Sequence, residues 1–181
     1  DTPIKRNKNV VVVGAGNVAM DAARCAKRMG ADVHIVYRRS RAEMPARAEE
    51  IEHAEEEGIQ FHLLNNPVRI LGDENNCVNR IECIKMELGE PDESGRRKPV
   101  EIPGAIETLD ADLVIVAIGV SPNPIVPSSI KGLNVTSKGT IVVNDNMQSD
   151  TIPTIFAGGD IVRGGATVIL AMGDGRKAAA A

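Results

Sequence analysis

Four consecutive valines at residues 10–13 run directly into Gly14-Ala15-Gly16-Asn17-Val18-Ala19. The valine run is short and β-branched, so it predicts a strand buried on both faces. The G-x-G-x-x-A that follows constrains the next thirty residues. Its first glycine permits a tight turn, its second lets a diphosphate approach the backbone, and Ala19 is small enough for close helix–strand packing. Val18, Ala22, Cys25, Ala26 and Met29 recur at helical spacing. They predict an amphipathic helix with that stripe on the sheet, stopped at Gly30. The first amides of the helix, and the positive end of its dipole, then point into the glycine turn. A second strand at residues 33–37 completes a β-α-β unit that can hold a dinucleotide.

The tip of that second strand selects the ribose. An acidic residue there would serve the 2′-hydroxyl of NAD, whereas this chain has Arg38-Arg39-Ser40-Arg41. Guanidinium groups form charge-assisted bonds to phosphate, so the tip is expected to take the 2′-phosphate of NADP. A basic surface turn is the alternative.

The remaining pattern extends this unit. Ser40-x-x-Glu43 has capping-box spacing and Pro45 suits an early helical position, predicting a second helix that runs to about Glu57 and stops at Gly58. Its glutamates at 49, 50, 52, 55, 56 and 57 read as a solvated face rather than a metal site. Residues 60–64 read as a third strand. Residues 67–71, 78–88 and 98–108 are separated by turn-rich segments at 72–76 and 89–97, which predicts a three-stranded antiparallel meander. The alternation slips in its middle strand, so a bulge is expected near Cys83.

Residues 112–118 read as another buried strand, ending in Gly119. Ligands bind beyond the carboxyl ends of parallel strands, which puts Ala117, Ile118 and Gly119 beside the dinucleotide. A glycine that merely ends a strand is the alternative. A short strand at 141–143 follows the Gly139 turn. A further strand is expected to deliver Asp160 to its carboxyl end, with a helix starting near Ala166. Gly173 and Gly175 would weaken that helix, which suggests close backbone approach there. The expected fold class is α/β, a Rossmann-like doubly wound parallel sheet with an antiparallel β-meander.

Composition narrows the function. With 181 residues, 43% hydrophobic and a formal charge of -4, the chain suits one or two small folded domains, and its dispersed basic residues offer no stripe for nucleic acid. No apolar run approaches membrane length. The odd count of three cysteines, with neither CxxC nor metal-ligand spacing, argues against a disulfide framework and for a cytoplasmic setting. Asp1-Thr2-Pro3 lacks an initiator Met, so a piece of something longer is expected.

The segments GAGNVAMDAARCAKRMGA, YRRS, AEMPA, AIGVSPNP and IFAGGDIVRGGATVILAMGDGRKAAAA together resemble the small (β) subunit of NADPH-dependent glutamate synthase and its relatives. Those relatives include sulfide dehydrogenase and a subunit of the NADH-dependent ferredoxin:NADP oxidoreductase. The resemblance implies a flavoprotein with two dinucleotide-binding domains, the NADPH domain being inserted in the FAD domain. Gly14, Gly16, Asn17, Val18 and Ala19 would then hold the NADPH diphosphate, and Arg38 and Arg39 its 2′-phosphate. Gly119 would mark the passage back to the FAD domain, and Gly159 with Asp160 the acid that accepts a ribityl hydroxyl of FAD. The helix after Gly165 would point at the flavin ring.

The implied organisation is a linker at 1–9, an NADPH domain at 10–143 with its meander at about 67–108, and a C-terminal strip of the FAD domain at 144–181. The family's iron–sulfur segment and first glycine fingerprint are not in this sequence. The resemblance therefore implies an excised portion whose partners are the rest of the FAD domain, the iron–sulfur segment and a large catalytic or electron-transfer subunit. By itself that portion is expected to be inactive, with residues 168–172 lacking part of their packing.

Two other functions are consistent with the same motifs. A complete substrate dehydrogenase would need a proton-handling residue near the nicotinamide. His34, His53 and His62 sit inside predicted strands or on the acidic helix, and Tyr37 flanks the adenosine end. A nucleotide-sensing or docking module would bind NADPH without a flavin, and the Gly159-Asp160 motif counts against it.

Overall fold

A computed structural model describes residues 8–91 and 95–181. The expected linker at 1–9 lies outside them apart from its last two residues. The chain divides into two compact units, the first ending at Gly119 and the second spanning Val120–Ala181.

The first unit is built on a parallel sheet whose strands are β1 (Asn9–Val13), β2 (Asp32–Tyr37), β3 (Gln60–Leu63) and β7 (Leu113–Val116). Their order across the sheet is β3-β2-β1-β7. Helices α1 (Asn17–Arg28) and α2 (Ala48–Glu56) cover one face. Val10, Val12, Val33 and Ile35 pack there against Ala19, Met20 and Ala23 of α1 and Ile51 and Ala54 of α2. Val11 and Val36 face the other way, onto Ile81 and Cys83 of the meander. Both faces of β1 and β2 are therefore covered, as their unbroken apolar runs require. The second cover is a sheet, not another pair of helices.

That cover is antiparallel, of order β4-β5-β6, formed by β4 (Asn65–Gly72), β5 (Val78–Pro91) and β6 (Arg97–Asp110). The slip expected near Cys83 takes the form of two irregularities. Val68 is the extra residue facing Glu82 and Cys83, and residues 102–105 of β6 are extra opposite Lys85. Part of the turn expected at 89–97 is strand, since β5 continues to Pro91; residues 92–94 lie outside the described residues.

Several local expectations are corrected. The fully buried stripe of α1 is Ala19, Met20 and Ala23; of the expected stripe Ala22 and Ala26 are partly buried against the same core, while Val18 is 71% exposed and Cys25 and Met29 are also exposed. Both stripes carry two alanines and a methionine, so spacing alone does not say which one turns fully inward. Ser40 and Glu43 do form a capping box, but on the single 3₁₀ turn Arg41–Glu43. Met44 is extended at φ -65 and ψ 126, as a residue before proline tends to be, so Pro45 precedes α2 instead of opening it. The glutamates of α2 are not uniformly solvated. Arg24 bridges Glu50 at 2.7 Å and Glu57 at 3.0 Å, and Arg28 reaches Glu57 at 2.8 Å. Strand β7 is shorter than expected and, as the edge of the sheet, half exposed.

The second unit has little regular structure. It contains α3 (Ile125–Ser129), α4 (Asp160–Arg163) and α5 (Val168–Ala180). The strands expected at 141–143 and before Asp160 are only isolated bridges, Val135 with Ile141, Val143 with Ser149 and Gln148 with Phe156. Scattered backbone bonds and side-chain bonds stand in for a ladder. Asn144 Oδ1 accepts from the amides of Asn146 and Gln148, and Thr136 Oγ1 meets Thr140 Oγ1 at 2.8 Å. Such local bonds compete with strand pairing.

Gly173 and Gly175 do not mark a close approach; an added Cβ at either would meet nothing within 4 Å. The close approach is at Gly158, where an added Cβ would lie 2.6 Å from Cβ of Asp174.

Candidate functional site

The register Val13 with Val36 and Val116 aligns the carboxyl ends of β1, β2 and β7. At that edge Gly14 donates its amide to Val36 O at 2.9 Å, and Ala117 donates to Val13 O at 2.8 Å. Gly14 has φ +124, and an added Cβ would lie 2.8 Å from the Ala117 carbonyl carbon and closer still to its oxygen. Glycine is thus required twice over, by conformation and by the strand end packed on it. The turn delivers the chain into α1, which starts on Gly16 with no side-chain cap and no acidic residue in its first turn. Uncapped first-turn amides and the positive helix end favour an anion there.

Segment 44–47 braces the turn from outside. Ala46 donates to Ala15 O at 3.1 Å, and the Arg47 amide donates to Asn17 Oδ1 at 3.0 Å. The Asn17 side chain is thus occupied, leaving its backbone at the mouth of the turn.

A cavity of about 350 Å³ opens at this edge. It is lined by residues 13–18, by Val36, Tyr37, Arg38 and Arg39, by Pro45, Asn66 and Pro67, by Arg96, and by Ala117, Ile118 and Gly119. The structure therefore brings together the expected Gly14, Gly16, Asn17, Val18, Arg38, Arg39 and Gly119. Ala19 is fully buried beneath the turn. The exposure of Val18, unexpected for a packing residue, places it on the cavity wall.

The two arginines of the tip differ. Arg38 is exposed, whereas Arg39 is 5% exposed and its Nε donates to Arg97 O at 2.8 Å. Arg96 was not anticipated, because its neighbourhood reads as a polar turn. No carboxylate is among the described lining residues. The nearby acid, Glu43, is turned away: it accepts from Ser40 Oγ at 2.5 Å and from Arg97 Nε at 2.9 Å. The Ser40 hydroxyl first, then Arg97, holds its carboxyl below the usual range.

The histidines lie elsewhere. His34 Nδ1 and His62 Nε2 are 3.0 Å apart, and His62 Nδ1 faces Glu107 at 3.3 Å. Burial chiefly pushes the His34 imidazole pKa down, and the neighbouring His62 adds to it.

In the second unit, Gly159 has φ +72 and Asp160 begins α4. Asp160 Oδ1 accepts from the Ala166 amide at 3.2 Å. Asp160, Ile161, Gly164 and Gly165 line a smaller cavity of about 250 Å³ with residues 120–123. Helix α5 begins two residues later than expected, capped by Thr167, whose hydroxyl accepts from the Leu170 amide. Sequence reasoning missed Asp174, which is fully buried on α5. It accepts from the Gly159 amide at 3.0 Å and takes both arms of Arg163 at 2.7 and 2.5 Å. This fork, with the Gly159 amide second, holds its pKa down at about 2.

Among the described residues no helix is long and apolar enough to cross a membrane. The chain is 47% identical to the β subunit of an NADP(+)-dependent formate dehydrogenase from Moorella thermoacetica, over 98% of this chain and 25% of that protein. It is 39% identical to the glutamate synthase [NADPH] small chain of Escherichia coli, over 95% of this chain and 37% of that one. It thus spans roughly a quarter to two fifths of these relatives. Among solved structures it superposes on Lactococcus lactis thioredoxin reductase with a TM-score of 0.76 at 24% identity, covering 97% of this chain and 52% of that one. That likeness bears on fold and agrees with the Rossmann-like sheet and meander found here. The profile of the family described as pyridine nucleotide-disulphide oxidoreductase matches residues 2–175, and the chain belongs to that family.

Proposed function

We propose that this chain is the NADPH-binding portion of a flavin-dependent oxidoreductase. The observation that carries this reading is the cavity at the strand ends, where an uncapped helix start and three arginine-bearing positions meet and no described carboxylate lines the wall. The Gly14 and Gly16 backbone, with the amides of Asn17, Val18 and Ala19, would hold the diphosphate. The tip at Arg38 and Arg39 would face the 2′-phosphate, and Gly119 the far end of the nucleotide. Gly159 and Asp160 would serve FAD. Hydride donation from nicotinamide to flavin is the chemistry these cofactors supply when bound. The chain's own residues would bind and orient them, and hydride transfer between the two cofactors asks no acid–base group of the described lining residues.

The whole protein would work in the cytoplasm with the rest of an FAD domain, an iron–sulfur segment and a large catalytic or electron-transfer subunit. A glutamate synthase is the first reading for that partner. A formate dehydrogenase is the second, favoured by 47% against 39% identity.

Calorimetric titration of the chain with NADPH and NADH tests the nucleotide reading. NADPH should bind at least about tenfold more tightly, some 1.4 kcal/mol, and Arg38→Ala/Arg39→Ala should erase the difference. Equal affinities in the unaltered chain would refute it.

A further inference from the structure

Arg38 and Arg39 lie in the bend that follows β2, and both line the cavity. Arg38 is exposed there, whereas Arg39 is buried and its Nε donates to Arg97 O of the meander at 2.8 Å. One strand tip therefore presents one exposed guanidinium to a phosphate.

A second comes from the other layer. Arg96, immediately before β6, is exposed and lines the same cavity as Arg38. A run of hydrogen bonds fixes where the start of β6 sits. Ser40 donates its amide and hydroxyl to Glu43 Oε2 at 3.2 and 2.5 Å. Arg97 Nε donates to Glu43 Oε1 at 2.9 Å, and Arg39 Nε donates to Arg97 O at 2.8 Å. Glu43 is 8% exposed, so this is an inner tie between the end of β2 and the meander. It also keeps the Glu43 carboxylate occupied by Arg97 and off the cavity wall.

We propose that Arg96 is a specificity-determining residue that grips the 2′-phosphate from the meander side, joining the Arg38–Arg39 tip, while Glu43 and Arg97 are positioning residues that hold the start of β6 beside the end of β2. This rests on the reading of the cavity as an NADPH site. A phosphate offers three acceptor oxygens, and two planar guanidinium forks arriving from different elements can satisfy more of them than neighbours on one strand. Discrimination against NADH then belongs to both layers of the first unit.

The test compares adenosine 2′,5′-bisphosphate with 5′-AMP, which differ only in the 2′-phosphate, alongside NADPH and NADH. In calorimetric titrations of the chain, Arg96→Gln should lower the preference for the bisphosphate about tenfold and leave 5′-AMP and NADH binding unchanged. Arg96→Lys should restore part of the preference, since charge is kept and the fork lost. Glu43→Gln should lower the same preference without weakening NADH, an effect that a general loss of folding would not produce. An unchanged preference in Arg96→Gln, or equal weakening of both ligands, overturns the assignment of Arg96. If Arg38→Ala abolishes the preference while Arg96→Gln does not, only this inference fails. If the unaltered chain prefers neither nucleotide, the NADPH reading fails and takes the inference with it.

Discussion

Gly14 and Gly158 both exist to let something come close, and they do so in opposite ways. At Gly14, backbone meets backbone: the end of β7 lies on the turn, inside a sheet whose two faces are packed with aliphatic residues. At Gly158, backbone meets a buried carboxylate, Asp174, held by Arg163 and the Gly159 amide. The first unit is thus ordered by apolar burial, and the second by a polar knot with turns tied by asparagine and threonine. The second unit also leaves apolar surface outside, with Val168 and Ile169 at 75% and 80% exposure. A binding turn can be built on a core that stands by itself, or on a charge pair that is only as stable as its ionisation.

The contrast is sharpest at the glycines. Gly14→Ala should have the largest effect, because a positive φ and an occupied space both oppose it. We expect a loss of about 2–4 kcal/mol by urea denaturation, with nucleotide binding abolished. Full retention of both would break the argument. Gly158→Ala should cost less, about 1–3 kcal/mol, since the added methyl meets the Asp174 Cβ on α5 without the positive φ that compounds the clash at Gly14. Hydrogen exchange should show lost protection around residues 158–174 with the β1 and β2 amides unaffected. Loss in both units at once would contradict it.

Acid should separate the units next. The Asp174 pKa is lowered in the fold, so its contribution is present above the ordinary value of 3.8 and is lost as pH falls from there towards about 2. Unfolding followed between those limits should affect the second unit first, and Asp174→Asn should remove that pH dependence. The smallest effect belongs to the first unit. The His34 pKa is lowered, chiefly by burial, so folding favours its neutral form. Stability from this group is present above pH 6.5 and declines as pH falls below that value, because the unfolded chain then binds the extra proton. A His34→Asn variant should flatten this slope, and an unchanged slope would assign it to another group.

Legibility followed the same division. Strand β1, the glycine turn, α1 and β2 could be read because valine runs, helical spacing and Gly30 are local signals, and the meander followed from its turn-rich breaks. The face of α1 could not be read, since apolar residues occur on both sides of it. In the second unit, residues 141–143 and a short apolar segment before Asp160 read as strands by composition. Side-chain bonds from Asn144 and Ser149 instead tie the backbone into turns. Asp174 was invisible for a related reason: an aspartate between two glycines looks like a solvated turn until Arg163 and Gly159 are brought onto it.

The sequence by itself determined the β-α-β unit, the glycine turn and the presence of an arginine tip, because each depends on residues a few positions apart. Tertiary structure decided which arginine of the tip is exposed and which is buried, that Arg96 joins them at the cavity, and that Glu43 is drawn off by Arg97, 54 residues away. Those outcomes require two layers to meet, and no periodicity within either layer encodes the contact. Burial of Asp174 was likewise settled only by packing, since a carboxylate enters the interior only where a matching cation and amide already wait for it.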